Sequence, residues 1–186
     1  MLRRFRPIAG CICAFAIVAL AGGVRGAAAD DSSVATSFNG NTFTATFSGS
    51  DSDLSFTVRT DSFARPFVTG GGWVLGNAGG HASFGFVAGN TSAGGTSGEL
   101  VFIDHSVGVR FKSTTIVAFD PSPCGAVFNG VGQMNGVDGF AFQATVADNG
   151  EPGTGRDVFS IVTSSYANAF VVLAGGDIQV HGQDCR

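Results

Sequence analysis

Apolar and polar residues alternate with a period of two along most of the chain after residue 36. Phe43, Ala45 and Phe47 fall on one side of an extended segment, and Thr42, Thr44 and Thr46 fall on the other. The pattern recurs at Leu54, Phe56 and Val58, at Phe84 and Phe86, and at Leu100 and Phe102. It continues at Val107, Val109 and Phe111, at Phe140, Phe142, Ala144 and Val146, and at Ile178 and Val180. Successive side chains of a strand point to opposite faces, so this alternation predicts antiparallel strands with one buried and one wet face. The separators are turn residues: Asn39-Gly40, Asn135-Gly136, Asp138-Gly139, a Gly/Ser/Thr segment over 90–98 and a Gly-rich one over 150–155. Asn-Gly suits the type I′ hairpin, whose two central residues need positive φ. No segment beyond residue 30 carries an apolar stripe at helical spacing. About eleven strands at such intervals predict an all-β fold, a single antiparallel β-sandwich or barrel-like domain over residues 30–186. Arg65-Pro66 and three successive glycines interrupt the pattern over 62–72 and mark a soft boundary. The three strands before it are too few to bury a core alone, so they read as an extension of the same sheet system.

Composition sharpens this picture. Of the 20 aromatic residues 18 are Phe, which has no polar handle and prefers the interior. Charged residues make up only 13% of the chain. Four arginines (Arg3, Arg4, Arg6, Arg25) precede residue 30, leaving six basic against fourteen acidic residues, a net charge of −8. Such a surface lacks the cationic footprint that phosphate backbones require, so nucleic acid is excluded as a partner.

Residues 1–29 read as a secretory signal peptide. Arg3, Arg4 and Arg6 form the cationic start, 8–22 the apolar stretch, and Ala27-Ala28-Ala29 a small-residue cleavage site. A membrane anchor is the rival reading, but the apolar run falls short of the roughly 20 residues a spanning helix needs. A lipoprotein is another, since Ile8-Ala9-Gly10-Cys11 resembles a lipobox, although the apolar stretch runs on past it. Export implies a secreted, periplasmic or cell-surface protein with no stable membrane insertion after cleavage. Cys124 and Cys185 then remain as an even pair, expected to form a disulfide, with a two-cysteine metal site as the alternative. Closing so long a loop is worth roughly 4 kcal/mol in the chain-entropy model.

From Val68 onward a set of ordered motifs resembles a known family. They run through Val68-Thr69-Gly70-Gly71-Gly72-Trp73, Ala82-Ser83-Phe84-Gly85-Phe86-Val87-Ala88 and Gly98-Glu99-Leu100-Val101-Phe102-Ile103-Asp104-His105. They continue through Val109-Arg110-Phe111-Lys112-Ser113-Thr114 and Thr145-Val146-Ala147-Asp148-Asn149-Gly150-Glu151-Pro152-Gly153 to Asp157-Val158-Phe159-Ser160-Ile161 and Leu173-Ala174-Gly175-Gly176-Asp177-Ile178-Gln179-Val180-His181. Together they resemble the bacterial post-COAP domain, which follows choice-of-anchor P modules in exported surface proteins, over about residues 67–181. The resemblance implies a secreted all-β module without characterised chemistry. The chain departs from the family in its Cys124 and Cys185 pair and in lacking an evident anchor module.

Candidate chemistry is sparse. Asp104-His105 is the one acid/base pairing, and a remote hydrolase reading would rest on it. Neighbours on a regular strand point apart, and the chain has no G-x-S-x-G elbow. Asp148, Glu151 and Asp157 gather carboxylates and glycines in one loop, a weak Ca²⁺ candidate, since that ion takes six to eight oxygens. Turn chemistry alone also explains such residues. His81, His105 and His181 have no metal spacing, and His181 alternates outward as a solvated residue. Trp73 and Tyr166, with Asn168, are the weak candidates for a ligand-stacking patch, although Trp73 also reads as a core plug. The expectation is a structural or interaction role for a partner protein or surface polysaccharide, with no enzyme activity and no cofactor. A carbohydrate- or small-ligand-binding module is the alternative.

Overall fold

The computed structural model describes residues 33–39, 41–48, 54–183 and 185. The predicted signal peptide lies outside the described residues, as does Gly40 of the first predicted turn. The described residues form twelve strands: β1 (Ser33–Phe38), β2 (Thr42–Ser48), β3 (Leu54–Arg59), β4 (Phe63–Leu75), β5 (His81–Thr91), β6 (Thr96–Asp104), β7 (Val109–Ser122), β8 (Gly125–Met134), β9 (Val137–Ala147), β10 (Val158–Thr163), β11 (Ala167–Val172) and β12 (Gly175–His181). The all-β expectation holds, as a large curled antiparallel sheet with a small second sheet on it.

The large sheet runs β11-β10-β9-β8-β7-β6-β5-β4-β12, and every pairing in it is antiparallel. Hairpins join β4 through β11 in sequence order, and β12 then returns to pair with β4. The alternation explains the core. Inward positions of the curled sheet carry Phe84, Phe86, Phe102, Phe111, Phe128, Phe142 and Phe159 with Leu100, Ile161 and Ile178, all buried. Phe159 sits at the centre, its ring 4.2 Å from Phe84 and 5.9 Å from Phe102 between centroids. Burying each such ring is worth roughly 1.5–3 kcal/mol.

Residues before β4 depart from expectation. They do not extend the large sheet but form their own, in the order β1-β2-β3. It lies flat on the outer side of β4, β5 and β6, where Phe43, Ala45, Phe47 and Phe56 meet Phe67, Val87, Val101 and Ile103 in a second core. The soft boundary over 62–72 is likewise no boundary: β4 runs through it for 13 residues. The glycines are there for contact. A side chain at Gly70 would collide with the Phe86 ring, and one at Gly71 with Thr36 of the small sheet. Close approach on both faces removes the alternation that sequence reading relies on.

Two other expectations divide. Asn135 and Gly136 turn at φ 50° and 80°, the left-handed pair that Asn-Gly supplies. Asp138 and Gly139, expected as a second separator, belong to β9, where a register shift between Gly132 and Gln133 takes up the irregularity.

Candidate functional site

The large sheet closes along a seam between β12 and the loop that connects β9 to β10. β12 pairs with β4 on one edge. On its other edge the amides of Ile178 and Val180 donate to carboxylates: Ile178 N to Asp157 Oδ2 at 2.8 Å and Val180 N to Asp148 Oδ2 at 3.2 Å. Aspartates thus take the place of a neighbouring strand. Their second oxygens hold the loop itself, Asp157 Oδ1 accepting from Asn149 N at 2.8 Å and Asp148 Oδ1 from Gly150 N at 3.1 Å. Gly153 N donates to Asp177 Oδ1 at 3.1 Å, and Gln179 reaches Glu151. Gly153 must be glycine, because a side chain there would run into both Asp157 and Asp177.

Crowding of like charge marks this seam. Asp157 is fully buried, and burial pushes its carboxyl above the ordinary range, with Asp148 and Glu151 adding to the effect against the amides of Asn149 and Ile178. Asp177 is raised to about 7, first by burial and then by Glu151 and Asp157. The three calcium candidates are therefore brought together, with Asp177 as a fourth member from β12. Five of their oxygens are engaged by backbone amides. Among the described residues no three His, Cys, Asp or Glu side chains are arranged to hold a metal ion.

Asp104 and His105 end up apart. Asp104, last residue of β6, points inward and is fully buried. It accepts from Tyr166 OH at 2.7 Å, from Asn77 N and Ser106 N at 2.9 Å, and from Ser106 Oγ at 2.5 Å. Burial works to raise its pKa, but these donors outweigh it and hold the carboxyl below the usual range. Tyr166 is correspondingly pushed up, by its own burial and by Asp104. This knot ties the β4–β5 turn, the β6–β7 turn and the β10–β11 hairpin at one end of the barrel. His105 faces the other way, its Nε2 3.3 Å from Ser83 Oγ. A hydrolytic dyad of the two residues is thus not assembled.

Ser83 Oγ is also 3.3 Å from His81 Nδ1, and the Trp73 ring lies 4.7 Å from that of His81. Sequence reading missed this outer-face group, because only strand register places Trp73 opposite Ser83. Trp73 is half-buried on the outer face rather than a core plug. Tyr166 packs inward against Phe102, and Asn168 is buried with its amide on the Leu75 carbonyl at 2.9 Å. Trp73, Tyr166 and Asn168 do not share a surface. His181 is not a solvated residue either. Its ring stacks 4.5 Å from Phe67 and 4.7 Å from Phe38, and its Nε2 is 2.8 Å from Thr69 Oγ1. Burial, with Arg65 nearby, lowers its pKa to about 4. The Cys185 thiol donates to Pro123 O at 3.0 Å, one residue from Cys124, and the two sulfurs are not bonded to each other.

Known proteins do not extend this picture. The chain matches no family model, no curated protein and no solved structure. Among the described residues no helix is long and apolar enough to cross a membrane.

What remains is a surface. The small sheet covers the outer side of β4–β6, whereas β8–β11 carry no such cover from the described residues. Their outward positions are Val127, Asn129, Val131 and Gln133 on β8, Asp138, Ala141, Gln143, Thr145 and Ala147 on β9, Val158 and Val162 on β10, and Ala167, Ala169, Phe170 and Val172 on β11, while Ser160 of β10 is buried. Asp138, the ladder partner of Gln133, is the one charged residue among them. Phe170 is 70% exposed, Val172 48%, Val162 41% and Val131 40%. Phe170 also has φ 55°, a backbone region few residues with a side chain adopt, next to the register shift between Phe159 and Ile161.

Proposed function

We propose that this chain is an exported, non-enzymatic interaction module of the post-COAP type. Its barrel is a scaffold, and the outer face of β8–β11 is its working surface. The observation that carries this reading is the asymmetry of the large sheet. The outer side of β4–β6 is sealed by the small sheet, while that of β8–β11 has no such cover among the described residues and carries exposed apolar side chains with Asp138 as its one charge. Contiguous exposed apolar surface on a protein is a mark of association rather than chance. The carboxylates support the same reading, since buried Asp104 and Asp157 and half-buried Asp148 spend their oxygens on holding turns and strand edges. Export is proposed from the leader motif, and with it the oxidation of the Cys124 and Cys185 thiols to a disulfide in an oxidising compartment.

A site-specific photo-crosslinker placed at residue 170 tests the reading, with residue 94 in the exposed β5–β6 turn as control. Crosslinked species of defined mass are expected from position 170 during export from the native host, and not from position 94. Equal or absent crosslinking at both positions would overturn the proposal.

A further inference from the structure

We infer that His81, His105 and Ser83 form a zinc site on the outer face of the large sheet. Two imidazole nitrogens and one hydroxyl oxygen are the ligands, and the fourth position is left to water. The inference does not depend on the β8–β11 surface.

Strand register builds the group. Ala82 pairs with Asp104, so His81 and His105 stand directly opposite each other one step further along the β5–β6 ladder. The His105 amide donates to the His81 carbonyl there at 3.0 Å. Opposite residues on one face of an antiparallel pair carry their Cβ atoms roughly 4.5–5.5 Å apart, which places the two rings side by side. Their centroids are 5.7 Å apart. Ser83 lies two residues along β5 from His81 and so projects from the same face. His81 Nδ1 and His105 Nε2 converge on this one hydroxyl, each 3.3 Å from Ser83 Oγ.

That length suits an ion better than a proton. N–H···O hydrogen bonds fall at about 2.7–3.2 Å, and Ser83 has a single hydrogen to offer two rings. A tetrahedral ion about 2.0–2.1 Å from each ligand instead holds its ligand atoms about 3.3–3.4 Å apart. Both contacts to Ser83 Oγ already have this spacing. Imidazole suits zinc, copper and nickel, and of these Zn²⁺ is the one at home in a tetrahedron. The set is two imidazoles and a hydroxyl, so it differs from the clusters of three His, Cys, Asp or Glu that are absent among the described residues.

The surroundings admit an ion. Ser83 is buried, whereas His81, His105 and Trp73 are half-buried, so the oxygen forms a floor and the rings reach solvent. Trp73 pairs with Ser83 across β4 and β5 and walls the site, its ring 4.7 Å from that of His81. A net charge of −8 after residue 29 favours the arrival of a cation. The seam carboxylates compete poorly for it, since five of their oxygens already accept from backbone amides.

Titration of the untagged exported protein with Zn²⁺, followed by tryptophan fluorescence and by calorimetry, tests this. Trp73 is the only tryptophan of the chain, and its contact with His81 makes its emission a local reporter. One Zn²⁺ per chain is expected to bind saturably, to change that emission and to raise the melting temperature. His81→Ala and His105→Ala are each expected to weaken binding roughly tenfold or more, and Ser83→Ala to weaken it less. His105→Asn, which keeps a polar side chain, gives the same loss if the alanine variant fails to fold. Asp177→Asn in the seam and the Cys124→Ser/Cys185→Ser pair are expected to leave binding unchanged. No binding up to about 1 mM Zn²⁺ overturns the inference. So does binding that leaves the Trp73 emission unchanged, that survives both histidine substitutions, or that is lost with the seam or cysteine substitutions.

Discussion

Replacing Asp177 by Asn isolates the electrostatic cost of the seam. In the folded chain the Asp177 carboxyl titrates at about 7, against 3.8 ordinarily, because burial, Glu151 and Asp157 all disfavour its charge. An acid whose folded pKa lies above its unfolded value holds its proton more tightly when folded. Between pH 4 and pH 7 the unfolded chain therefore binds fewer protons at this site, and stability falls as pH rises. The full shift corresponds to about 4 kcal/mol at 1.36 kcal/mol per unit. Asp177 is only partly buried, so solvent screening reduces the figure to about 1–2 kcal/mol. Asn keeps an oxygen for the Gly153 amide and carries no charge. Asp177→Asn is therefore expected to be more stable than the parent by about 1–2 kcal/mol at pH 8, and within a few tenths of it at pH 4.5, where Asp177 is already protonated. Urea unfolding of both proteins at the two pH values measures the difference, with groups other than the seam cancelling. An equal difference at both pH values, or a variant less stable at pH 8, would refute the account of like-charge crowding.

His181 gives the opposite sign. Its folded pKa of about 4 lies below the usual 6.5, so its neutral stacking contributes above pH 6.5 and is lost as pH falls toward 4. His181→Phe is expected to remove roughly 2–3 kcal/mol of acid sensitivity, read as a flatter melting-temperature profile between pH 4 and 7. Tyr166→Phe deprives Asp104 of one of its four donors and is expected to destabilise the fold by about 1–3 kcal/mol in urea titrations at pH 7. Phe159→Ala opens a cavity at the centre of the barrel and should cost about 3–5 kcal/mol, read as a fall in the urea midpoint at unchanged slope. Thiol labelling of the denatured exported protein should find both Cys124 and Cys185 blocked until reductant is added, and two immediately reactive thiols would remove the disulfide.

The strands themselves were legible because period-two alternation is a local property. Phe43 to Phe47 and Phe140 to Val146 declare their buried faces without reference to anything distant. What alternation does not carry is which strands share a sheet. The strands of 33–59 have the same pattern whether they extend the large sheet or lie across it, and only the meeting of Phe47 and Phe56 with Val87 and Val101 decides. β11 was hidden, since Ala-Asn-Ala-Phe-Val-Val has no two-sided pattern and its buried position is held by Asn168. Alternation puts His181 on the outward side, as found, but carries no sign of the Phe38 and Phe67 rings that cover it there. The outer side of β12 next to β4 is where Phe38 of the small sheet arrives, and no local signal announces a second layer. The aspartates of the seam look like turn residues or metal ligands in sequence. Their role emerges only when the amides of β12, far along the chain, are brought beside them.

The return of β12 to β4 has a kinetic meaning. Val180 faces Val68 and Ile178 faces Gly70, pairs separated by more than a hundred residues of intervening sheet. The Phe-rich interior stays open along one side until this last strand inserts, and β4 has no second neighbour before then. Every earlier hairpin forms from adjacent sequence, but the enclosure of the core waits for the strand pairing of longest sequence separation among the described residues. Folding is therefore expected to end in one slow, concerted step, and a chain halted before residue 175 would hold its hairpins around an interior still exposed to water.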